Sequence, residues 1–296
     1  MKYVLTGSTG NITKPLAATL IAAGHDVTII SNSESRKLEI ETLGAKAAFG
    51  SVLDKTFLSN AFLGADAVYL MIPPIFTVSD WLGFQKEVAD NFTMAIQRSG
   101  VKNIVQLSSI GAHMGTGAGP IDGLAYLEKK LNGINDINVV KLRPSYFYTN
   151  FFTLIDMIKH AGILGSNMGA GDFKLVLTHP KDIADAAAKK LLALDFKGQS
   201  IEYVSSDISS FTEITSALGR AIGQAELPWI PFSDEDALQG MLQSGLPEIF
   251  AKGYVQMGKS IREGLIQQEY FEKNEKPKGK VKLEEFAKEF AQVYNN

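Results

Sequence analysis

The sequence contains no cysteine. That excludes a disulfide framework, a thiolate nucleophile, an iron–sulfur cluster and any zinc site built on cysteine. Histidine is scarce. His25, His113, His160 and His179 are the four, and their separations match no metal-ligand spacing. No apolar run approaches the roughly 18 residues of a membrane span. The apolar stretch in the opening MKYVLTGSTGN stops too early for a secretory signal. Excess charge is lacking as well: 29 Lys plus Arg stand against 32 Asp plus Glu, a formal net charge of -3, so no broad basic face is available for nucleic acid. No Gly-x-Ser-x-Gly hydrolase elbow occurs. The expectation left standing is a cytoplasmic protein that takes a small molecule, with neither nucleic acid nor membrane as partner.

What is present is ordinary globular composition, 45% hydrophobic and 21% charged, over 296 residues. That length suits one large domain, or one domain with a smaller one fused to it. Strand-like runs at residues 2–6, 26–30, 46–49, 66–71, 103–107 and 138–142 alternate with helical stretches at 11–23, 35–43, 55–63, 80–99 and 122–131. Such alternation predicts an α/β fold, a Rossmann-type doubly wound parallel sheet covered on both faces. After Arg143-Pro144 the rhythm changes. Residues 146–152 are aromatic-rich, 182–194 read as a helix and 201–204 as one more strand; helices follow at 211–222, 233–243, 247–263 and 283–294, with 272–280 a charged surface loop. The expected division is a Rossmann-type domain over 1–150, to which 179–204 return. The remainder, 151–178 and 205–296, is expected to be a smaller, mostly helical lobe.

The first strand runs into Gly7-Ser-Thr-Gly10-Asn-Ile, which opens a helix. Glycine lets the backbone turn tightly and approach a phosphate, and a helix N-terminus offers free N–H groups and a positive dipole end. In the first βα turn of a strand–helix alternation this pattern predicts dinucleotide binding. A third glycine of the pattern is replaced by Thr13, which predicts a helix pushed slightly outward. At the end of the second strand NAD sites place an acid on the ribose hydroxyls. Here the strand ends in Ser31, Asn32 and Ser33, with Arg36 close behind. Arginine suits a phosphate fork. These four residues therefore point to NADP, with NAD as the alternative.

VLTGSTGNI, AVYLMIPP, NIVQLSSIGAH, KLRPSYFYTNF, THPKDIADAAAKKL and KLEEFAKEFAQVY, in this order and spacing, resemble the NmrA-like branch of the atypical short-chain dehydrogenase/reductases. The resemblance spans nearly the whole chain. It implies a Rossmann-type domain, a smaller C-terminal part and a substrate cleft between them. It implies that Gly7, Thr9, Gly10, Asn11 and Ile12 line the pyrophosphate and that Met71, Ile72 and Pro73 pack near adenine and ribose. Ser108 and Ser109 are implied to lie near the nicotinamide. Ser51 stands where related chains often carry an aspartate. The family holds quinone and isoflavone-type reductases, and also NADP-binding regulators that do no chemistry and bind a protein partner.

Short-chain dehydrogenases usually carry Tyr-x-x-x-Lys: the lysine lowers the tyrosine pKa and the tyrosine passes a proton to the substrate. Tyr126-Leu-Glu-Lys-Lys130 has that spacing. Aligning Glu128 and Leu131 with the family pattern instead puts Pro120 in the tyrosine slot and Leu124 in the lysine slot. The expectation is therefore no Tyr–Lys relay. A quinone takes hydride readily and its proton from water, so alignment suffices. Phe76, Trp81, Tyr146, Phe147, Tyr148 and Phe151 are candidates for an apolar slot, though ordinary packing explains most of them. His113, on a glycine-rich loop able to close over substrate, is the candidate polar group. The favoured reading is hydride transfer from NADPH to a quinone or similar conjugated carbonyl. The rivals are a non-catalytic redox sensor and a nucleotide-sugar epimerase or dehydratase.

Overall fold

The computed structural model describes residues 1–296, which divide into two compact units. The first comprises 1–109, 122–143 and 183–202; the second comprises 110–121, 144–182 and 203–296.

The first unit is built on a seven-stranded sheet. Its strands are β1 (Lys2–Leu5), β2 (Asp26–Ser31), β3 (Lys46–Phe49), β4 (Ala67–Leu70), β5 (Asn103–Leu107), β6 (Asn138–Pro144) and a seventh, Gln199–Val204. Their order is Gln199–Val204, β6, β5, β4, β1, β2, β3. Every pairing among β1–β6 is parallel. The order reverses between β1 and β4, and ligands of such sheets bind outside the carboxyl ends of the strands at that reversal.

The helices are α1 (Thr13–Ala22), α2 (Lys37–Thr42), α3 (Lys55–Phe62), α4 (Trp81–Ser99) and α5 (Asp122–Asn132). Val4, Val68, Leu70 and Ile104 of the strands pack with Leu58, Phe62, Val88, Phe92, Leu127 and Leu131 of α3, α4 and α5. Strands so covered bury consecutive residues, which is why they read as apolar runs rather than as alternation. On the other face the Tyr3 hydroxyl donates to the Leu191 carbonyl at 2.7 Å. Helix α4 is the longest because its apolar residues hold helical spacing for 19 positions. The Asp80 carboxylate caps it by accepting from the Gly83 N–H at 2.8 Å, and Gly100 ends it at φ 74°. Residues 34–36 form a 3-10 turn before α2 instead of joining a single helix.

The second unit is mostly helical, as expected, and also carries short strands. Lys174–Thr178 pairs antiparallel with Asp207–Ser210 and parallel with Tyr146–Phe147, and Leu164–Ser166 pairs parallel with Trp229–Pro231. Its longer helices are Phe211–Ala221, Glu248–Arg262 and Leu283–Asn295. Ser210 and Glu213 form a capping box on the first of these. Aromatic stacking fills the interior: Phe211 lies flat on Trp229 at 3.9 Å and Tyr148 on Phe286 at 4.9 Å. The charged stretch before the last helix is pinned, because the buried Asp182 carboxylate accepts from the Lys280 and Val281 N–H groups.

Candidate functional site

The turn after β1 is shaped for close approach. Gly7 has φ 98°, and a Cβ there would fall 2.6 Å from Thr13 Oγ1 and 2.9 Å from Met71 Cε. Ser8 follows at φ 53°, an unusual left-handed conformation for serine. Its N–H donates to the Ile30 carbonyl at 3.2 Å and its hydroxyl to Ser31 Oγ at 3.0 Å. A Cβ on Gly10 would sit 3.2 Å from the Gly7 carbonyl oxygen. Ile12 occupies the N-cap of α1, so no side chain closes the end of that helix. A tight glycine turn leading into an uncapped helix start is the arrangement a pyrophosphate needs. Thr13, which replaces a third glycine, is turned inward. It is fully buried, and its hydroxyl donates to the Thr6 carbonyl at 3.0 Å, so the threonine fits beneath Gly7.

At the tip of β2, Ser31 is buried and its hydroxyl accepts from the Ser33 N–H at 3.2 Å, while Asn32 is exposed. Ser33 and Ser35 hydroxyls lie 2.7 Å apart. Arg36 is turned onto a carboxylate that the sequence reading did not single out. Glu39 Oε2 accepts from Arg36 at 2.9 Å and from the Thr9 hydroxyl at 2.6 Å, and Glu39 Oε1 accepts from Lys14 Nζ at 2.8 Å. The Lys14, Thr9 and Arg36 hydrogen bonds hold the Glu39 carboxyl down at about 2. The Arg36–Glu39 pair follows from their three-residue separation. The arrival of Thr9 and Lys14 depends on tertiary packing.

Thr6 joins β1 to the exit of β4: its hydroxyl accepts from the Met71 N–H at 2.7 Å. Met71 covers Gly7, Ile72 is buried in the main core, and Pro73 is half-buried. At the end of β5 the Ser108 hydroxyl is turned inward and donates to Glu128 Oε1 at 2.5 Å. Glu128 is also held by Arg143 through two bonds, 2.9 Å from Nε and 2.7 Å from Nη2. All three residues are buried. Ser109, the next residue, is half-buried. Ser51 makes a local turn, accepting from the Leu53 N–H at 3.1 Å.

Tyr126 and Lys130 both face Asp90 on α4. The phenol donates to Asp90 Oδ1 at 3.1 Å, and Lys130 Nζ lies 2.8 Å from the same oxygen. That hydrogen bond holds Lys130 above its ordinary pKa. Both groups are therefore tied to α4.

In the second unit His113 Nδ1 lies 3.6 Å from Glu269 Oε2, which also accepts from the Tyr203 hydroxyl at 2.7 Å. The glycine-rich loop is not a free lid. The Ser260 hydroxyl donates to the Gly117 carbonyl at 2.7 Å, and Gly119 rests against the Gly253 backbone where a side chain has no room. Tyr148 and Phe151 are fully buried, and Tyr146 meets Phe151 edge-on at 5.6 Å, so these three are packing residues. Phe147 is half-buried. In the first unit Phe76 is exposed and lies 6.3 Å from the Trp81 ring.

Fold and turn together define an NAD(P)H-binding Rossmann-type protein. Residues 7–132 match the model of a family described as NAD(P)H-binding. The chain is similar along most of its length to proteins named as NAD(P)H-dependent reductases. The NAD(P)H azoreductase of Xenophilus azovorans is 23% identical over 250 residues, 84% of this chain and 83% of that one. An NADPH-dependent quinone oxidoreductase of Escherichia coli, solved with NADPH, is 18% identical with a TM-score of 0.80, covering 99% of this chain and 100% of that one. A nucleoside-diphosphate-sugar epimerase of Staphylococcus aureus is 19% identical with a TM-score of 0.80, covering 97% and 100%. No helix is long and apolar enough to cross a membrane.

Proposed function

We propose that the protein is an NADPH-dependent reductase that delivers hydride to a quinone or similarly conjugated carbonyl without a Tyr–Lys proton relay. The reading is supported by two observations, the commitment of both Tyr126 and Lys130 to Asp90 and the tight glycine turn of the first βα connection. Bound NADPH supplies the hydride. Gly7, Thr9, Gly10, Asn11 and Ile12 hold its pyrophosphate, Ser31, Asn32, Ser33 and Arg36 its adenosine ribose and 2′-phosphate, and Met71, Ile72 and Pro73 the neighbouring wall. Ser108 and Ser109 stand at the nicotinamide end, where Ser108 fixes the loop through Glu128 rather than by touching substrate. An acceptor that delocalises the incoming charge and is protonated by water needs only to be held against the nicotinamide, which is worth several kcal/mol when the geometry is right.

Following NADPH oxidation across a panel of quinones tests this. Turnover with at least one quinone, faster with NADPH than with NADH, is expected. Tight binding of NADPH and NADP without turnover on any acceptor replaces the reductase with a redox sensor. Oxidoreduction confined to a nucleotide sugar replaces it with epimerase-type chemistry.

A further inference from the structure

Three donors from three separate segments converge on Glu39. Thr9 comes from the turn after β1, Lys14 from the first turn of α1 and Arg36 from the 3-10 turn after β2. The carboxylate they share is only partly covered, with 30% of its side chain exposed, so it can leave without unfolding anything. Two cations placed beside the carboxyl ends of β1 and β2 form a binding site for a phosphate monoester. That is the end of the sheet at which the adenosine ribose of a dinucleotide lies.

We propose that Glu39 is a specificity-determining residue: its carboxylate occupies the Lys14 and Arg36 cations in competition with the 2′-phosphate of NADP. The proposal rests on the reading of residues 31–36 as an NADP site. With NADPH bound, the phosphate takes over the Arg36 and Lys14 contacts, and Glu39 must rotate to solvent beside a dianion that repels it. With NADH bound, the carboxylate keeps its three donors and nothing is displaced. Glu39 thus lowers NADP affinity selectively and narrows the gap between the two cofactors.

The test is a set of titrations of wild type, Glu39→Gln and Arg36→Ala with NADPH, NADH, adenosine 2′,5′-bisphosphate and adenosine 5′-monophosphate. Thermal midpoints confirm that each variant is folded. Glu39→Gln is expected to tighten NADPH and the bisphosphate by roughly tenfold, as removal of a competing charge at contact distance implies, and to leave NADH and the monophosphate within about twofold. Arg36→Ala is expected to weaken only the two 2′-phosphorylated ligands. If Arg36→Ala acts selectively but Glu39→Gln leaves NADPH unchanged or weaker, the competition is refuted while the NADP site stands. If Arg36→Ala weakens neither 2′-phosphorylated ligand, the NADP reading itself is wrong and the competition goes with it.

Discussion

Two carboxylates in the first unit are each gripped by an arginine, and their surroundings differ sharply. Glu39 meets Arg36 where the side chains are 30% and 55% exposed; Glu128 meets Arg143 where they are 7% and 5% exposed. At the first site water competes for both partners, so the pair adds little to stability and its members are free to exchange ligands. At the second, separating the partners strands a charge away from water, and Ser108 donates a further hydrogen bond to the same carboxylate. The same chemistry therefore serves two ends. The exposed cluster is suited to recognising an anion, and the buried one fixes the carboxyl ends of β5 and β6 against α5.

The comparison breaks first if Arg143→Met is harmless. Leaving Glu128 buried and unpaired should cost about 3–5 kcal/mol, read as a lower urea midpoint at unchanged slope. Replacing Glu128 and Arg143 together by apolar residues of similar volume should recover much of that loss, because the pair as a whole is close to neutral once desolvation is counted. A stable Arg143→Met protein shows that water reaches the pair.

The next effect is on binding rather than stability. Gly10→Asp puts a side chain and a negative charge beside the pyrophosphate, and NADPH affinity measured by nicotinamide fluorescence should fall by at least roughly 100-fold. Equal affinity of the two proteins removes the turn from the site. Arg36→Ala follows, with NADPH weakened by roughly 10- to 150-fold through loss of a charge-assisted contact and NADH nearly unchanged. A wild type that prefers NADH contradicts the assignment of residues 31–36.

How far this was legible in the sequence follows the range of each interaction. The strands β1, β2, β4, β5 and β6 and helix α4 are legible because burial on two faces and 3.6-residue spacing leave local patterns. The turn is legible because Gly7 at φ 98° answers a purely local demand of the backbone. The fate of Arg36 is only half legible: Glu39 is three residues away, whereas Thr9 and Lys14 reach it through the fold. The Ser108–Glu128–Arg143 set leaves no local trace, since its members are 20 and 15 residues apart in sequence and look like isolated polar positions in apolar segments. The helices of the second unit are legible, whereas its two to five-residue strands are too short to show a period. Its glycine-rich loop reads as free because nothing in the loop's own sequence announces the Gly253 backbone beneath Gly119.

The smallest expected effect is the most direct test of hydride transfer without a relay. It is the turnover of NADPH by wild type and Tyr126→Phe on one active quinone, with both proteins saturated in cofactor. Since the Tyr126 hydroxyl is spent on Asp90, the two rates should agree within about threefold, whereas a general acid is worth about 10²–10⁴-fold. A loss of a hundredfold or more in Tyr126→Phe, at unchanged NADPH affinity, makes Tyr126 and Lys130 a working proton relay and contradicts the account.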